Sequence, residues 1–349
     1  MTSRERIECA LSCETPDRVP VSPFTFGHLS LDDEFTWEFI RAVDPFTDTG
    51  IGGGNPFFGN NIPVDTTTDG NRTIHTYHFP TRDLRSVFQT TDITTGHVEF
   101  MCKNADDVEV LLSAPYDPPE PDATYFHQLK DRIGDEGLVL GGSGTALCWA
   151  ADTFSPEDFC LLWADAPDAM IEMTRVANER LCVWYEKACQ AGVDGFRLCG
   201  GEYASTQLGP AAFKVLCQGP DREVTSIMRK HGAWVYYHNH GPIMRYVEMM
   251  ADMGLHAVDP FEAIPWGDCV MPEAKATLKG KVCIVGNLDD MEVLEKKPIE
   301  EIKAAGRKLI DEAGPDGFCL GGTASGTYGE RGARAFMALA EVAKEKAGG

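Results

Sequence analysis

The amino-acid sequence predicts an α/β protein, a (β/α)8 TIM barrel that carries an antiparallel β insertion in its N-terminal part. From Gly137 onward, short apolar segments alternate with helical patterns at intervals of about 30 to 50 residues, a rhythm typical of parallel strands joined by crossover helices. Residues of about 71–101 instead alternate polar and apolar side chains between Thr-rich turns, as antiparallel strands do. We therefore expect one barrel domain spanning 1–349, with the insertion at about 71–101.

Apolar spacing predicts the elements of the N-terminal part in order. A turn at Thr15-Pro-Asp-Arg leads into an apolar segment that we expect to be the first strand of the barrel. Residues 50–61, rich in glycine and asparagine, are predicted to be a long loop. The predicted helices are 3–12, 33–43, 104–112 and 123–133, and the predicted first strand lies near 19–24.

The C-terminal part repeats strand, loop and helix. One of the eight strands cannot be placed from the sequence. No G-x-G-x-x-G follows the first strand and no P-loop occurs, which argues against a nucleotide-binding open sheet. The predicted strands are 137–142, 193–199, 234–240, 256–261, 282–286 and 318–320, and the predicted helices are 167–191, 210–217, 220–231, 242–253, 272–279, 298–313 and 330–346.

Composition excludes several classes of function. The 349 residues carry a formal net charge of −23, with a pI near 4.7, which argues against nucleic acid and anionic membrane surfaces as partners. No apolar run approaches the length of a membrane span, and the start of the chain lacks a signal-peptide segment. The twelve cysteines show no C-x-x-C pair and fit reduced thiols, so we expect a cytoplasmic protein.

The segment Trp234-Val-Tyr-Tyr-His-Asn-His-Gly241 carries the strongest chemical signal. It is an apolar and aromatic strand that ends in two histidines two residues apart. Since side chains alternate along a strand, His238 and His240 should point to the same side. Two adjacent imidazoles at a strand end can form half of a metal site.

The remaining polar residues at predicted strand ends are candidates for the other half. Zinc suits a mixed set of nitrogen, sulfur and oxygen ligands, so we predict zinc on His238, His240 and Cys319, with Glu202 as fourth ligand. Structural roles remain open, because strand-end histidines can be ordinary hydrogen-bonding groups and Cys319 a buried thiol. Glu202 could cap a helix. Glu262 and Asn287 could bind loop backbone.

Several segments together resemble the uroporphyrinogen decarboxylase superfamily. They are Pro16-Asp-Arg-Val-Pro-Val21, Gly192-Val-Asp-Gly195, His238 with Gly241, Asp259-Pro-Phe-Glu262 and Gly286-Asn-Leu-Asp289. Their order and spacing run through nearly the whole chain. The resemblance implies a (β/α)8 barrel, and barrels of this family also suggest a homodimer.

The resemblance points to one branch of that superfamily. Its decarboxylases carry an early arginine-rich segment for a polycarboxylate substrate, whereas residues 24–30 here contain no arginine. Its corrinoid-dependent methyltransferases are similar in placing zinc on a His-x-Cys pair and a distant cysteine. By position His238 matches the histidine and Cys319 the distant cysteine, while His240 stands where cysteine is usual.

The resemblance implies methyl transfer between a small molecule and the cobalt of a separate corrinoid protein. A neutral histidine at 240 would leave zinc more Lewis-acidic than a thiolate would, which favours removal of a methyl group from a methoxy compound such as an aryl methyl ether. Glu202 would then be fourth ligand or proton donor to the leaving oxygen. The substrate pocket is expected to include Phe24, Phe26, Trp149, Asn287 and Glu262.

Three alternatives remain at this point. A methyl-corrinoid could instead deliver its methyl group to a thiol or another acceptor on this protein. The chain could be a decarboxylase of the uroporphyrinogen type. It could also be a degenerate barrel that binds a ligand or partner without catalysis, and the histidine at position 240 is the feature that most favours this reading.

Overall fold

Seven parallel strands form a curled sheet that brings their carboxyl ends together at one edge. The structure is a computed structural model and describes residues 1–53, 55–92, 94–323 and 326–348. The parallel strands lie side by side in the order in which the chain makes them. Their bounds are β1 Phe46–Gly50, β6 Leu138–Gly144, β7 Gly195–Cys199, β8 Trp234–His238, β9 Ala257–Asp259, β10 Cys283–Leu288 and β11 Phe318–Gly322.

The gap between the two edge strands, β1 and β11, is spanned by the segment 20–25. Val21 forms a parallel bridge with Leu320 of β11, and Phe24 forms one with Phe46 of β1. The segment is irregular rather than a regular strand, since Pro20 and Pro23 remove two backbone donors. The architecture of the described residues is therefore TIM-barrel-like with seven regular parallel strands, and closure into a complete (β/α)8 barrel stays a prediction.

The insertion is a separate antiparallel sheet of four strands in sequence order. It comprises β2 Val64–Asp69, β3 Arg72–His78, β4 Asp83–Thr90 and β5 Thr95–Glu99. It begins earlier than the predicted 71, because β2 (Val-Asp-Thr-Thr-Thr-Asp) is exposed along its whole length and lacks the apolar alternation on which the prediction depended. β1 was missed for a similar reason, since Phe-Thr-Asp-Thr-Gly contains one apolar residue.

Helices surround the parallel sheet. The predicted helix 242–253 is shorter in the structure, because the chain there forms a 3₁₀ turn at Met244–Tyr246 followed by one short helix. The helices at 146–151 and 156–165 were not predicted. The helices are α1 Ser3–Leu11, α2 Glu34–Ala42, α3 Ala105–Leu112, α4 Thr124–Ile133, α5 Ala146–Ala151, α6 Pro156–Asp165, α7 Pro167–Gln190, α8 Glu202–Ser205, α9 Pro210–Phe213, α10 Gly219–Lys230, α11 Val247–Ala251, α12 Met271–Leu278, α13 Ile299–Ala313 and α14 Glu330–Ala347.

The amino ends of the parallel strands are closed by α1 and a buried apolar layer. Ile7, Ala10 and Leu11 of α1 pack in one cluster with Tyr236 and Cys319 from the inner face of the sheet. Arg4 of α1 pairs with Asp194, which directly precedes β7, at 3.1 Å. The amino end is thus filled with side chains, whereas the active sites of barrels of this type lie at the carboxyl end.

The helices of the described chain do not reach the length and apolar character that a bilayer span needs.

Candidate active site at the carboxyl ends of the strands

The two histidines lie side by side at the carboxyl end of β8. His238 is the last residue of that strand, and His240 follows it by two residues. Their ring centroids are 4.5 Å apart with the ring planes at 90°. Gly241 then turns the chain away with φ of 88°, and a Cβ there would lie 2.6 Å from Thr206 Cγ2. Only glycine combines that backbone angle with so close an approach.

His238 is held by the carboxylate at the end of the neighbouring strand. Its Nδ1 lies 2.9 Å from Asp259 Oδ1 and 3.0 Å from Oδ2. The two residues are register partners of β8 and β9, and both side chains are almost fully buried. A carboxylate at Nδ1 fixes the imidazole proton on that nitrogen and leaves Nε2 as the lone-pair nitrogen.

His240 is held in the same manner by Glu262. Its Nδ1 is 3.0 Å from Glu262 Oε1, while Glu262 Oε2 accepts a hydrogen bond of 2.7 Å from the Gly241 backbone. The hydrogen bond to Glu262 raises the pKa of His240, despite partial burial. Burial opposes ionisation of Glu262, but hydrogen bonds from His240 and from Gly241 lower its pKa overall. The His240 side chain remains 40% exposed.

A second pair of charged residues lies near His238 at this carboxyl end of the barrel, which we call the mouth. Asp48 on β1 and Arg197 on β7 lie 3.6 Å apart, Oδ2 to Nη1. The Arg197 guanidinium also lies 4.4 Å above the Phe24 ring. Burial raises the pKa of Asp48, and the charge of Arg197 opposes that rise. Neither residue was predicted. Asp48 lies just before the predicted loop 50–61 and was assigned no role. Arg197 lies inside the predicted buried strand 193–199, and a charged residue at such a position was a signal that could have been used.

Glu202 begins α8, just beyond β7. Its Oε2 accepts a hydrogen bond of 3.2 Å from the Gly200 backbone N–H. Glu202 therefore binds backbone at the turn after β7, which is close to the capping role that the sequence left open. Its negative charge also contributes to the raised pKa of His240 and of the neighbouring thiol Cys148. Glu202 therefore belongs to the same electrostatic environment as the histidines.

Two thiols lie beside Glu202. Cys199 ends β7 and is the register partner of His238. A hydrogen bond with Cys148 lowers the pKa of Cys199, and the same contact together with burial raises the pKa of Cys148. Sequence reasoning overlooked both thiols because they are not spaced as a motif.

Cys319 lies in a different layer of the barrel. Its side chain is fully buried in the apolar cluster beneath the mouth, and its Sγ is 3.8 Å from Cys283 Sγ. Within the described residues, no group of three or more His, Cys, Asp and Glu side chains is arranged to hold a metal ion. The structure thus brings together the two predicted histidines but does not join Cys319 to them, and the zinc ligand set stays a prediction.

The predicted substrate residues are divided among core and cavities. Phe24 and Phe26 are both 7% exposed and belong to the apolar core. Asn287 donates from Nδ2 to the Phe261 carbonyl at 3.0 Å and, with Glu262, lines a cavity of about 580 Å³ outside the strand ends. Trp149 lines a separate cavity between the barrel and the antiparallel sheet.

Comparison with solved structures gave several matches. A methyltransferase from Methanosarcina mazei superposes with a TM-score of 0.66 at 14% identity, covering 98% of each chain. A putative vitamin-B12 independent methionine synthase from Listeria monocytogenes gives a TM-score of 0.43 at 13% identity, covering 64% of this chain and 69% of its own. A B12-independent methionine synthase from Shewanella sp. W3-18-1 gives 0.47 at 10% identity, covering 94% and 97%. At such identities the first likeness concerns the fold alone.

Sequence comparison identifies the family. The search against curated proteins gave no match. The family model described as Uroporphyrinogen decarboxylase (URO-D) matches residues 99–345, which include the greater part of the chain and every parallel strand except β1. The chain therefore belongs to the uroporphyrinogen decarboxylase family.

Proposed function

We propose that this protein is a zinc-dependent methyltransferase that moves a methyl group from a small methoxy compound to cobalt(I) of a separate corrinoid protein. One observation carries the proposal: two adjacent histidines at the strand ends are each bound at Nδ1 by a carboxylate, Asp259 for His238 and Glu262 for His240. Carboxylate, histidine and metal in that order is the recurrent arrangement around protein-bound zinc.

The negative charge of the mouth favours binding of a cation there. The carboxylates of Asp48, Glu202, Asp259 and Glu262 surround the histidines, and Arg197 contributes a positive charge beside Asp48. A substrate with many carboxylates, such as a tetrapyrrole, would meet repulsion at this site, whereas a divalent ion would be attracted. This balance favours metal-assisted chemistry over decarboxylation of a polyanion.

Each residue has a defined part in the proposal. His238 and His240 hold zinc through Nε2, and Asp259 and Glu262 keep the imidazole proton on Nδ1 so that Nε2 stays a lone-pair donor. Bound zinc would act as a Lewis acid toward the ether oxygen. Glu202 is a further protein ligand or the proton donor to that oxygen, which leaves as an alcohol or phenol while the methyl group goes to cobalt.

The partner must approach the carboxyl ends of the strands, since the amino ends are closed by α1. The corrinoid belongs to that partner. Membership of the family and a fold shared with the methyltransferase from Methanosarcina mazei support methyl transfer as the reaction class.

Metal content of the purified protein tests the proposal. We expect close to one zinc per chain in the wild type and loss of zinc in His240→Ala. Glu262→Gln should weaken zinc affinity by about 10- to 100-fold, the usual effect of removing a carboxylate behind a histidine ligand. His231→Ala is the matched control, because His231 pairs with Glu186 at 2.7 Å away from the strand ends and its loss should leave zinc unchanged.

A second measurement tests the reaction. Zinc-loaded protein with 2-methoxyphenol and a cobalt(I) corrinoid should form the methyl-cobalt spectrum, and His240→Ala should not. A wild-type protein without zinc after incubation with the metal would contradict the metal site. Zinc binding without methyl transfer from any methoxy compound would contradict the reaction.

A further inference from the structure

A large cavity lies just outside the carboxyl ends of the strands, between the loop after β9 and helix α13. Its volume is about 580 Å³, within the range of about 300–1,000 Å³ that small-molecule sites occupy. Glu262 lines it, so the cavity adjoins the pair that Glu262 forms with His240. Its apolar walls include Ile264, Val270, Leu288, Val293 and Leu309. Size and lining together fit a small organic ligand with an apolar body.

The loop 262–269 places a tryptophan on the wall of this cavity. The loop closes on itself, since the Cys269 backbone N–H donates to the Glu262 carbonyl at 3.1 Å. Compact loops whose ends meet in this way are frequently functional. Trp266, whose backbone N–H donates to the Ala263 carbonyl at 3.1 Å, is 62% exposed and lines the cavity. Its indole ring offers a flat surface that a ligand can cover.

Two backbone features beside the cavity are of kinds that cluster at functional sites. The segment Asp290–Leu294 forms a π-helical turn, and Glu292 and Val293 of this turn line the cavity. Phe261, directly before Glu262, has φ of 52°, a left-handed conformation that is strained for a residue other than glycine. The observed geometry therefore agrees with a ligand site at this position.

Thr323 contributes a hydroxyl group that lacks a partner. It follows β11, is only 6% exposed and lines the cavity. Its backbone N–H donates to Asp290 Oδ1 at 3.2 Å, whereas its Oγ1 makes no hydrogen bond within the part of the chain that the structure describes. A nearly buried hydroxyl of this kind carries a desolvation cost that a polar group of a ligand would remove, and the oxygen can accept from an N–H donor.

The charge of the lining restricts the ligand further. The charged side chains that line the cavity are Glu262, Asp289, Glu292, Glu312 and Lys308. Lys308 lies 3.6 Å from Glu312, and Lys296 lies 2.5 Å from Glu292. Glu262 and Asp289 form no ion pair with a lysine or an arginine of the described chain. The cavity therefore repels an anion and attracts a cation, and the exposed face of Trp266 can also bind a cation.

From these observations we infer that this cavity binds a small organic cation, an ammonium group joined to an apolar, aromatic body. The aliphatic walls receive the body, while Trp266 and the surrounding carboxylates stabilise the positive charge. Such a ligand lies against Glu262 and so beside the carboxylate that holds His240. The site is separate from the proposed zinc site, and binding of the cation does not require zinc.

Calorimetric titration of the full, zinc-free chain tests the inference with three ligands that share a phenyl ring and differ in charge. They are 2-phenylethylammonium, 2-phenylethanol and 3-phenylpropanoate. We expect the ammonium to bind about three- to tenfold more tightly than the uncharged alcohol, because it alone gains the interaction with the indole face and the carboxylates. The carboxylate ligand should bind most weakly, because the acidic lining repels it.

A substitution of Trp266 tests the site itself. Trp266→Leu keeps an apolar side chain and removes the aromatic face, so it should weaken binding of 2-phenylethylammonium about three- to tenfold and bring its affinity close to that of the alcohol. Since Trp266 is largely exposed, the variant should keep the melting temperature of the wild type. Tyr125→Leu is the matched control, because Tyr125 is an aromatic residue of similar exposure on α4, which packs against β6. It should leave binding unchanged.

Several outcomes would overturn the inference. They are absence of 2-phenylethylammonium binding, binding of 3-phenylpropanoate as tight as that of the ammonium, unchanged affinity in Trp266→Leu, or the same loss in Tyr125→Leu. These outcomes are separable from those of the proposed function, because the titration uses protein without zinc. Cation binding by a chain that takes up no zinc would support the cavity site and contradict the zinc site, whereas zinc uptake without cation binding would do the opposite.

Discussion

Asp44 lies two residues before β1 and Asp48 lies in the middle of that strand, and their surroundings differ sharply. The Asp44 side chain is fully buried and accepts hydrogen bonds from Arg6 Nη1 at 2.7 Å and Arg18 Nη1 at 2.6 Å, as well as from the Val21 backbone at 3.0 Å. Asp48 is partly exposed and has Arg197 as its counterion at 3.6 Å.

The difference separates a structural carboxylate from a functional one. Asp44 joins α1, the segment 18–21 and the start of β1, and two guanidinium groups balance its charge. Asp48 faces the mouth with looser compensation, and burial raises its pKa. The amino end of the barrel is therefore built for stability, whereas the carboxyl end retains negative charge that a cation or a ligand can use.

The largest expected effect is the loss of Asp44. Asp44→Ala leaves two buried guanidinium groups without their common partner, and such a change costs about 3–5 kcal/mol of unfolding free energy. Urea unfolding measures it. Asp32→Ala is the control, because Asp32 forms an exposed pair with Arg132 at 2.7 Å and should cost less than about 1 kcal/mol. Equal costs for the two variants would contradict the stabilising role assigned to Asp44.

Cys319 should show a smaller effect, on stability alone. Cys319→Ala removes a fully buried thiol in contact with Cys283 and should lower the unfolding free energy by about 1–2 kcal/mol. Its zinc content should equal that of the wild type, and Cys283→Ala should behave likewise. Loss of zinc in Cys319→Ala but not in Cys283→Ala would instead establish Cys319 as the sulfur ligand predicted from the sequence.

The smallest effect is the pH dependence of Asp48. Because its pKa is raised, the folded protein keeps a proton that the unfolded chain releases, so its contribution to stability declines as pH rises above about 4. Asp48→Asn should therefore gain melting temperature relative to the metal-free wild type as pH increases from 4 to 7.

Asp17 supplies the control of opposite sign. The hydrogen bond from Arg6, opposed by partial burial, lowers the pKa of Asp17, so its contribution is present above about pH 4 and is lost on acidification. Asp17→Asn should be less stable than the wild type at pH 7, with the gap closing below pH 4. Parallel pH profiles for the two variants would contradict the comparison.

The fold was largely predictable because apolar periodicity is local information. β8 and its two histidines, for example, follow from a run of aromatic residues that ends in a glycine turn. β1 and β2 escaped prediction because their strands are polar, and only pairing with a neighbouring strand defines them. The irregular segment 20–25 shows the same limit, since two prolines interrupt a strand that tertiary contacts nevertheless position.

The site was predictable only where chemistry lies within one segment. His238 and His240 are two residues apart, so one strand end defines them. The pairing of His240 with Glu262 and the placement of Arg197 beside Asp48 depend on neighbouring strands. The depth of Cys319 depends on the packing of α1 beneath the sheet, a contact between segments more than 300 residues apart in sequence.

The bridge between Val21 and Leu320 has a consequence for synthesis of the protein on the ribosome. At about 5–20 residues per second, Val21 leaves the ribosome roughly 15–60 s before its partner exists. Throughout that time the hydrogen-bonding edge formed by residues 20–25 has no partner on the β11 side. Completion of the parallel sheet therefore waits until β11, the last strand of the described chain, has been translated.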